Sequence, residues 1–106
     1  MSTNYYVRTA DTPPDGEGIH LGKFAQGHAF MFRGYPEQGI TTYGAWRTLA
    51  ASGEIVTECG APVDLADMEK RIAEAHRTYA RFRVTRPRKV DQVDDGGHRF
   101  TLVEFC

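Results

Sequence analysis

Between residues 64 and 79 the apolar side chains recur at spacings of three and four: Leu65, Met68, Ile72, Ala75 and Tyr79. That period lines one stripe of an α-helix, and Asp64 stands where a capping side chain is needed. A shorter helix is expected at about 42–52, where Tyr43, Trp46 and Leu49 or Ala50 share a stripe behind a capping Thr41 or Thr42. Elsewhere the period falls to two. "NYYVRT" (4–9), "EIVTE" (54–58) and "ARFRVT" (80–85) read as strands, the last with Phe82 and Val84 inward and Arg81 and Arg83 outward. "IHLGKF" (19–24) and "HAFMFR" (28–33) read as a hairpin around "AQG". In its second arm His28, Phe30 and Phe32 take one face, Ala29, Met31 and Arg33 the other. "KVDQV" and "HRFTLVEF" make a closing hairpin around "DDGG" (94–97). "DTPPDGEG" (11–18) and "RGYPEQG" (33–39) are loops, because proline fixes φ and lacks a donor while glycine turns freely. The class is therefore α+β: a mostly antiparallel sheet of about four to six strands with two helices, at about 42–52 and 64–79.

A chain of 106 residues is enough for one domain with one modest core, so 1–106 is read as a single domain. No apolar run approaches the roughly 18 residues of a membrane span, and the polar start "MSTNYY" is not a signal peptide. No membrane partner is expected, and the location expected is the cytoplasm, of a host bacterium on the resemblance given below. The two cysteines, Cys59 and Cys106, are too few for a disulfide framework and are read as free thiols. Cys59 is expected to be a small buried hydrophobe rather than a nucleophile.

The segment "IHLGKFAQGHAFMF" (19–32) concentrates the candidate chemistry. A phosphate loop requires glycine, four residues, then Gly-Lys-Ser or Gly-Lys-Thr opening a helix; here Glu17 holds the first position and Phe24 follows Lys23, between two strands. That reading fails. His20, His28, His76, His98, Cys59 and Cys106 are scattered, with no close cysteine pair and no His-x-x-x-His, so no metal site and no cofactor are expected. A small enzyme centred on His20, Lys23 and His28 is a secondary reading, with His20 or His28 as general base and Lys23 holding an anion; no carboxylate or nucleophile stands at a telling spacing. Gly22 and Gly27 are expected where the backbone approaches closely or φ is positive.

"TNYYVR", "IHLGK…GHAF", Trp46 and "GEIVTECG" ahead of a capped helix resemble a group of small uncharacterised bacteriophage and prophage proteins. Those proteins share an Asn-Tyr-Tyr start and a His-x-Gly-Lys hairpin; Asn4, Tyr5, Tyr6, His20, Gly22, Lys23, Gly27 and Phe30 match. Some members carry a cysteine pair in the first loop, where this chain has "DTPPDGEG", so a zinc role does not carry over. Where others have tryptophan, this chain has His28. The resemblance implies a phage accessory protein acting on host machinery or host defence.

Charge is polarised behind a net of −1. Residues 1–68 hold four basic and eight acidic side chains, residues 69–106 nine and six. From Arg77 to Lys89, "RTYARFRVTRPRK" contains six basic residues (Arg77, Arg81, Arg83, Arg86, Arg88, Lys89) and no acidic one. Arginine suits bidentate contact with phosphate or carboxylate, and Tyr79 and Phe82 are interleaved where they could stack on bases, although Phe82 is expected to face the core. Such a cluster is the footprint expected for nucleic acid or a nucleic-acid-handling protein complex, against the alternative of an ordinary solvated face. The leading expectation is thus a non-enzymatic binding protein, one form being a counter-defence inhibitor such as an anti-CRISPR. A homodimeric scaffold is a third reading.

Overall fold

The computed structural model describes residues 2–79 and 90–105. Its strands are β1 (Ser2–Arg8), β2 (Ile19–Ala25), β3 (Met31–Arg33), β4 (Glu54–Thr57), β5 (Pro62–Val63), β6 (Asp91–Val93) and β7 (Arg99–Thr101). Its helices are α1 (Tyr43–Ala50) and α2 (Leu65–Thr78). The strands form one seven-stranded sheet in the order β5-β4-β1-β2-β3-β7-β6. Every pairing is antiparallel except β3 with β7, where Phe32 lies beside Phe100 in parallel register. The α+β class holds, with one more strand than the upper expectation. The extra pairing is β5, two residues opposite β4 where the sequence pattern shows only a turn. The strand expected at 80–85 lies outside the described residues.

Both helices start as their caps dictate. Thr42 Oγ1 accepts from the Ala45 amide at 3.3 Å, and the Asp64 carboxylate accepts from the Asp67 amide at 3.1 Å. Each satisfies an amide that has no partner within its own helix. The apolar stripes then face one side of the sheet: Trp46 and Ala50 from α1, Met68 and Ile72 from α2, against Tyr5, Val7, Leu21, Phe30, Phe32, Ile55 and Phe100. Phe32 is the hub. Its ring stacks on Phe100 at 4.8 Å and meets Trp46 edge-on at 5.0 Å. Trp46 is fully buried, and its indole N–H donates to the Leu21 carbonyl at 2.8 Å, removing the penalty of about 1–3 kcal/mol that a buried, unpaired donor carries.

Two local expectations change. The second arm of the first hairpin begins at Met31, not His28, so His28 lies in the connection and does not share a strand face with Phe30 and Phe32. The physical reason is the turn: the His28 amide donates back to the Ala25 carbonyl at 3.1 Å, and Gly27 takes φ 81°. Cys59 is exposed rather than buried, because it sits in the tight turn between β4 and β5 where the Gly60 amide bonds to the Thr57 carbonyl. No described helix is long and apolar enough to cross a membrane.

Candidate functional site

Of the six basic residues in the Arg77–Lys89 segment, the described residues include Arg77, exposed in the last turn of α2. Arg81, Arg83, Arg86, Arg88 and Lys89 lie outside the described residues. Beside that last turn runs an open groove of about 460 Å³ between α2 and the β2–β3 connection. Arg71, Glu74, Thr78 and Tyr79 line it from the helix side, Phe24 and His28 from the other. Arg71 is anchored there. Its guanidinium lies 4.5 Å from the Phe24 ring centroid and donates to the Tyr5 hydroxyl at 3.0 Å. A cation braced against an aromatic ring is held in place, so less side-chain freedom remains to be lost on binding.

The secondary candidates do not converge. Thr3, Phe24 and the groove lie on the helix side of the sheet, and His28 goes with them. His20 and Lys23 instead share the opposite face. In a regular strand two residues three apart point to opposite sides. Here the β1–β2 register slips, Tyr5 facing Gly22 and Tyr6 facing His20, so that Leu21 is an extra residue on β2. This bulge restores both Leu21 and Phe24 to the core and turns His20 and Lys23 together to the outer face. Gly22 makes it sterically feasible: its φ is 147°, and a Cβ there would stand 2.2 Å from the Met31 carbonyl oxygen.

Around His20 the outer face forms a closed corner. The imidazole Nε2 lies 2.9 Å from Asn4 Oδ1, and its Nδ1 lies 3.4 Å from a carboxylate oxygen of Glu104. Tyr6 and Phe105 cover the ring, at 5.1 and 4.8 Å between centroids. Arg33 flanks the corner, its guanidinium 4.3 Å from the Tyr35 ring centroid, and the Tyr35 hydroxyl donates to the His20 carbonyl. Lys23 Nζ stands 5.8 Å from the Phe105 ring centroid. Burial lowers the His20 pKa below its ordinary 6.5, outweighing the opposing pull of Glu104 and of the Gly22 backbone. The ring is therefore neutral near pH 7. Burial likewise raises the Tyr35 phenol.

A third cluster joins the closing hairpin to α1 and α2. Asp94 accepts from the Tyr43 amide at 2.9 Å and from the His98 amide at 2.8 Å, and lies 3.0 Å from His98 Nδ1. His98 stacks on Tyr43 at 4.8 Å and on His76 at 4.6 Å. Burial pushes the Asp94 carboxyl up, yet the two amides and His98 pull harder, and it sits below 3.8. Tyr43 is pushed up to about 12 by burial and by donating to Glu69. The cluster reads as a structural clamp, since the lone pairs of Asp94 are engaged in holding the helix start. Among the described residues no group of three or more His, Cys, Asp and Glu side chains is placed to hold a metal ion.

Asn4, Arg33, Glu104 and Phe105 were not among the site residues expected from the sequence. Arg33 was legible as lying on the strand face opposite Phe32, whereas Glu104 is 84 positions from His20 and no local pattern links them. The chain matches no family model, no curated protein and no solved structure.

Proposed function

We propose that this chain is an accessory binding protein of phage type that engages nucleic acid, free or within a host nucleic-acid-handling or defence complex, through Arg77–Lys89. The observation that carries this reading is the groove at the exit of α2. Arg71 is braced on one wall, His28 stands on the other, and Tyr79 closes the helix end from which the arginine-rich segment continues. Arg71 offers a phosphate contact beside Glu74 in this groove, and Tyr79 at its mouth offers a face on which an unstacked base can lie. The placement of His20 and Lys23 on the face opposite His28 favours this reading over an enzyme that uses all three together.

Binding should be salt-sensitive. A protein that neutralises about six phosphates loses on the order of a thousandfold in affinity between about 50 and 200 mM salt. Fluorescence anisotropy with labelled single- and double-stranded oligonucleotides tests this across a salt series. Arg81→Ala combined with Arg83→Ala is expected to weaken binding and to flatten the salt slope by about one for each phosphate no longer neutralised. Unchanged affinity, slope and heparin retention in that double variant refute the reading. A pull-down from host lysate with and without nuclease separates free nucleic acid from a protein complex.

A further inference from the structure

The outer corner around His20 holds a mismatch. The Asn4 amide is oriented with Oδ1 toward the imidazole, and that orientation assigns the hydrogen of a neutral ring to Nε2 and a lone pair to Nδ1. What faces that lone pair is the Glu104 carboxylate, another acceptor, at 3.4 Å. Two acceptors do not attract. On the other side of the same carboxylate, Arg33 Nε is buried and makes no hydrogen bond among the described residues; Glu104 lies 3.8 Å away, beyond hydrogen-bond reach. A buried guanidinium N–H without an acceptor is costly. Arg33 is otherwise well fixed, through Nη1 to the Gly34 carbonyl and by its place over Tyr35.

The carboxylate in the corner is open to solvent. Glu104 is 72% exposed, whereas His20 and Arg33 are 6% and 12% exposed. It arrives on the segment 102–105, which leaves β7 after Thr101 and adds no strand of its own. Phe105 lies on the imidazole and closes the corner. Beneath that segment lie Asn4, Tyr6, His20, Arg33 and Tyr35, among which Arg33 Nε is a donor without a partner among the described residues and His20 Nδ1 faces Glu104.

A ligand that satisfied both would offer an oxygen acceptor to Arg33 Nε and an O–H donor to His20 Nδ1 from the same small group. A carboxylate cannot, having no hydrogen to give. A singly protonated phosphate monoester can, because its second ionisation falls near pH ~6, and inorganic phosphate, a weaker second acid, keeps such a hydrogen to still higher pH. We propose that the His20–Arg33 corner is a binding site for a phosphate or phosphate monoester, and that the chain's own Glu104–Phe105 segment covers it as an imperfect stand-in. The site is on the opposite face of the sheet from the α2 groove and is independent of it.

The test uses two substitutions of Glu104 that both delete its charge but differ in hydrogen bonding. Glu104→Ala removes the stand-in. Glu104→Gln supplies an amide whose N–H₂ donates to Nδ1 and whose oxygen accepts from Arg33, so it fills the corner better than the natural residue. Inorganic phosphate is titrated at about pH 6.5 into the parent and each variant while the His20 imidazole nitrogen and proton resonances are followed by NMR. Phosphate should bind Glu104→Ala about tenfold more tightly than the parent, the gain expected when a covering segment that occupies the site about nine-tenths of the time is removed. Glu104→Gln should bind more weakly than the parent. Adding Arg33→Lys to Glu104→Ala should abolish saturable binding, and acetate should not reproduce the phosphate response. Thermal melts followed by Trp46 fluorescence establish that each variant is folded. Equal tightening in both Glu104 variants would mean that the corner reads charge alone; that result, an acetate response equal to phosphate, or no saturable phosphate binding in Glu104→Ala each overturns the proposal.

Discussion

Replacing Gly22 with alanine tests whether one bulge organises both the core and the outer corner. Two costs follow from the geometry. Gly22 has φ 147°, where an L side chain is strained by about 1–3 kcal/mol. The added methyl would also lie 2.2 Å from the Met31 carbonyl oxygen and 2.6 Å from two atoms of the Phe30 ring. Neither neighbour can retreat easily: Met31 is paired in β3, and Phe30 is buried against Phe32 and Trp46. Overpacking of that kind costs about 1–3 kcal/mol, so Gly22→Ala should destabilise by about 2–6 kcal/mol in all. Against a total stability on the order of 5–15 kcal/mol this is a large fraction. Gly27→Ala is the internal control, since Gly27 has φ 81° but a Cβ there meets nothing within 4 Å. Only the left-handed conformation is penalised, at about 1–2 kcal/mol.

Urea unfolding followed by the fluorescence of Trp46, the single tryptophan, measures both variants. The probe is well placed, because the Trp46 indole bonds to the carbonyl of Leu21, the bulged residue itself. A Gly22→Ala loss below about 1 kcal/mol, or one no larger than that of Gly27→Ala, would refute the reasoning from the bulge. So would a folded Gly22→Ala protein in which NMR finds His20 and Lys23 still on one face at full stability, for then the glycine is not what makes the bulge feasible.

Two further outcomes rest on titratable groups. His20 is buried with a folded pKa below 6.5, so the unfolded chain binds the proton first; stability should fall as pH drops from about 6.5 through the lowered value, and His20→Gln should flatten that part of the urea-midpoint profile. An unchanged profile would place the slope on another histidine. Asp94→Asn should destabilise by about 1.5–3 kcal/mol through its weakened bonds to the Tyr43 and His98 amides. Because the folded pKa of Asp94 lies below 3.8, its stabilisation is present above that value and lost as pH falls through the folded one; the parent and Asp94→Asn proteins should therefore converge in stability on acidification.

The helices were legible because their information is local: a cap, then a stripe at 3.6 spacing, each readable within about fifteen residues. The two hairpins were legible for the same reason, through "AQG" and "DDGG". The parallel pairing of β3 with β7 was not. Arg33 and Arg99 are joined through α1, β4, β5, α2 and β6, and no local period encodes which edge the chain returns to. The two-residue β5 carries too few positions to show alternation at all. The expectation of a buried Cys59 fails because small apolar character favours burial on average, whereas a tight turn leaves little core for it to enter.

The site failed to resolve in the sequence for a sharper reason. Reading β2 with a strict period of two sends His20 and Lys23 to opposite faces, and starting β3 at His28 puts that residue on a strand it does not join. A single extra residue at Leu21 breaks the period of two along β2, and a longer connection takes His28 off β3. Gly22 was the one visible sign of the irregularity, yet a glycine inside a strand signals a bulge without saying on which side of it the register slips. That choice is made by the core: with the slip at Leu21, both Leu21 and Phe24 are directed toward Trp46, Tyr5 and Phe30, and the polar residues between them are left to the outer face. The burial of two apolar side chains, each contributing about 1.5–3 kcal/mol when complete, thus decides where an imidazole and a lysine meet, although neither takes part in the core.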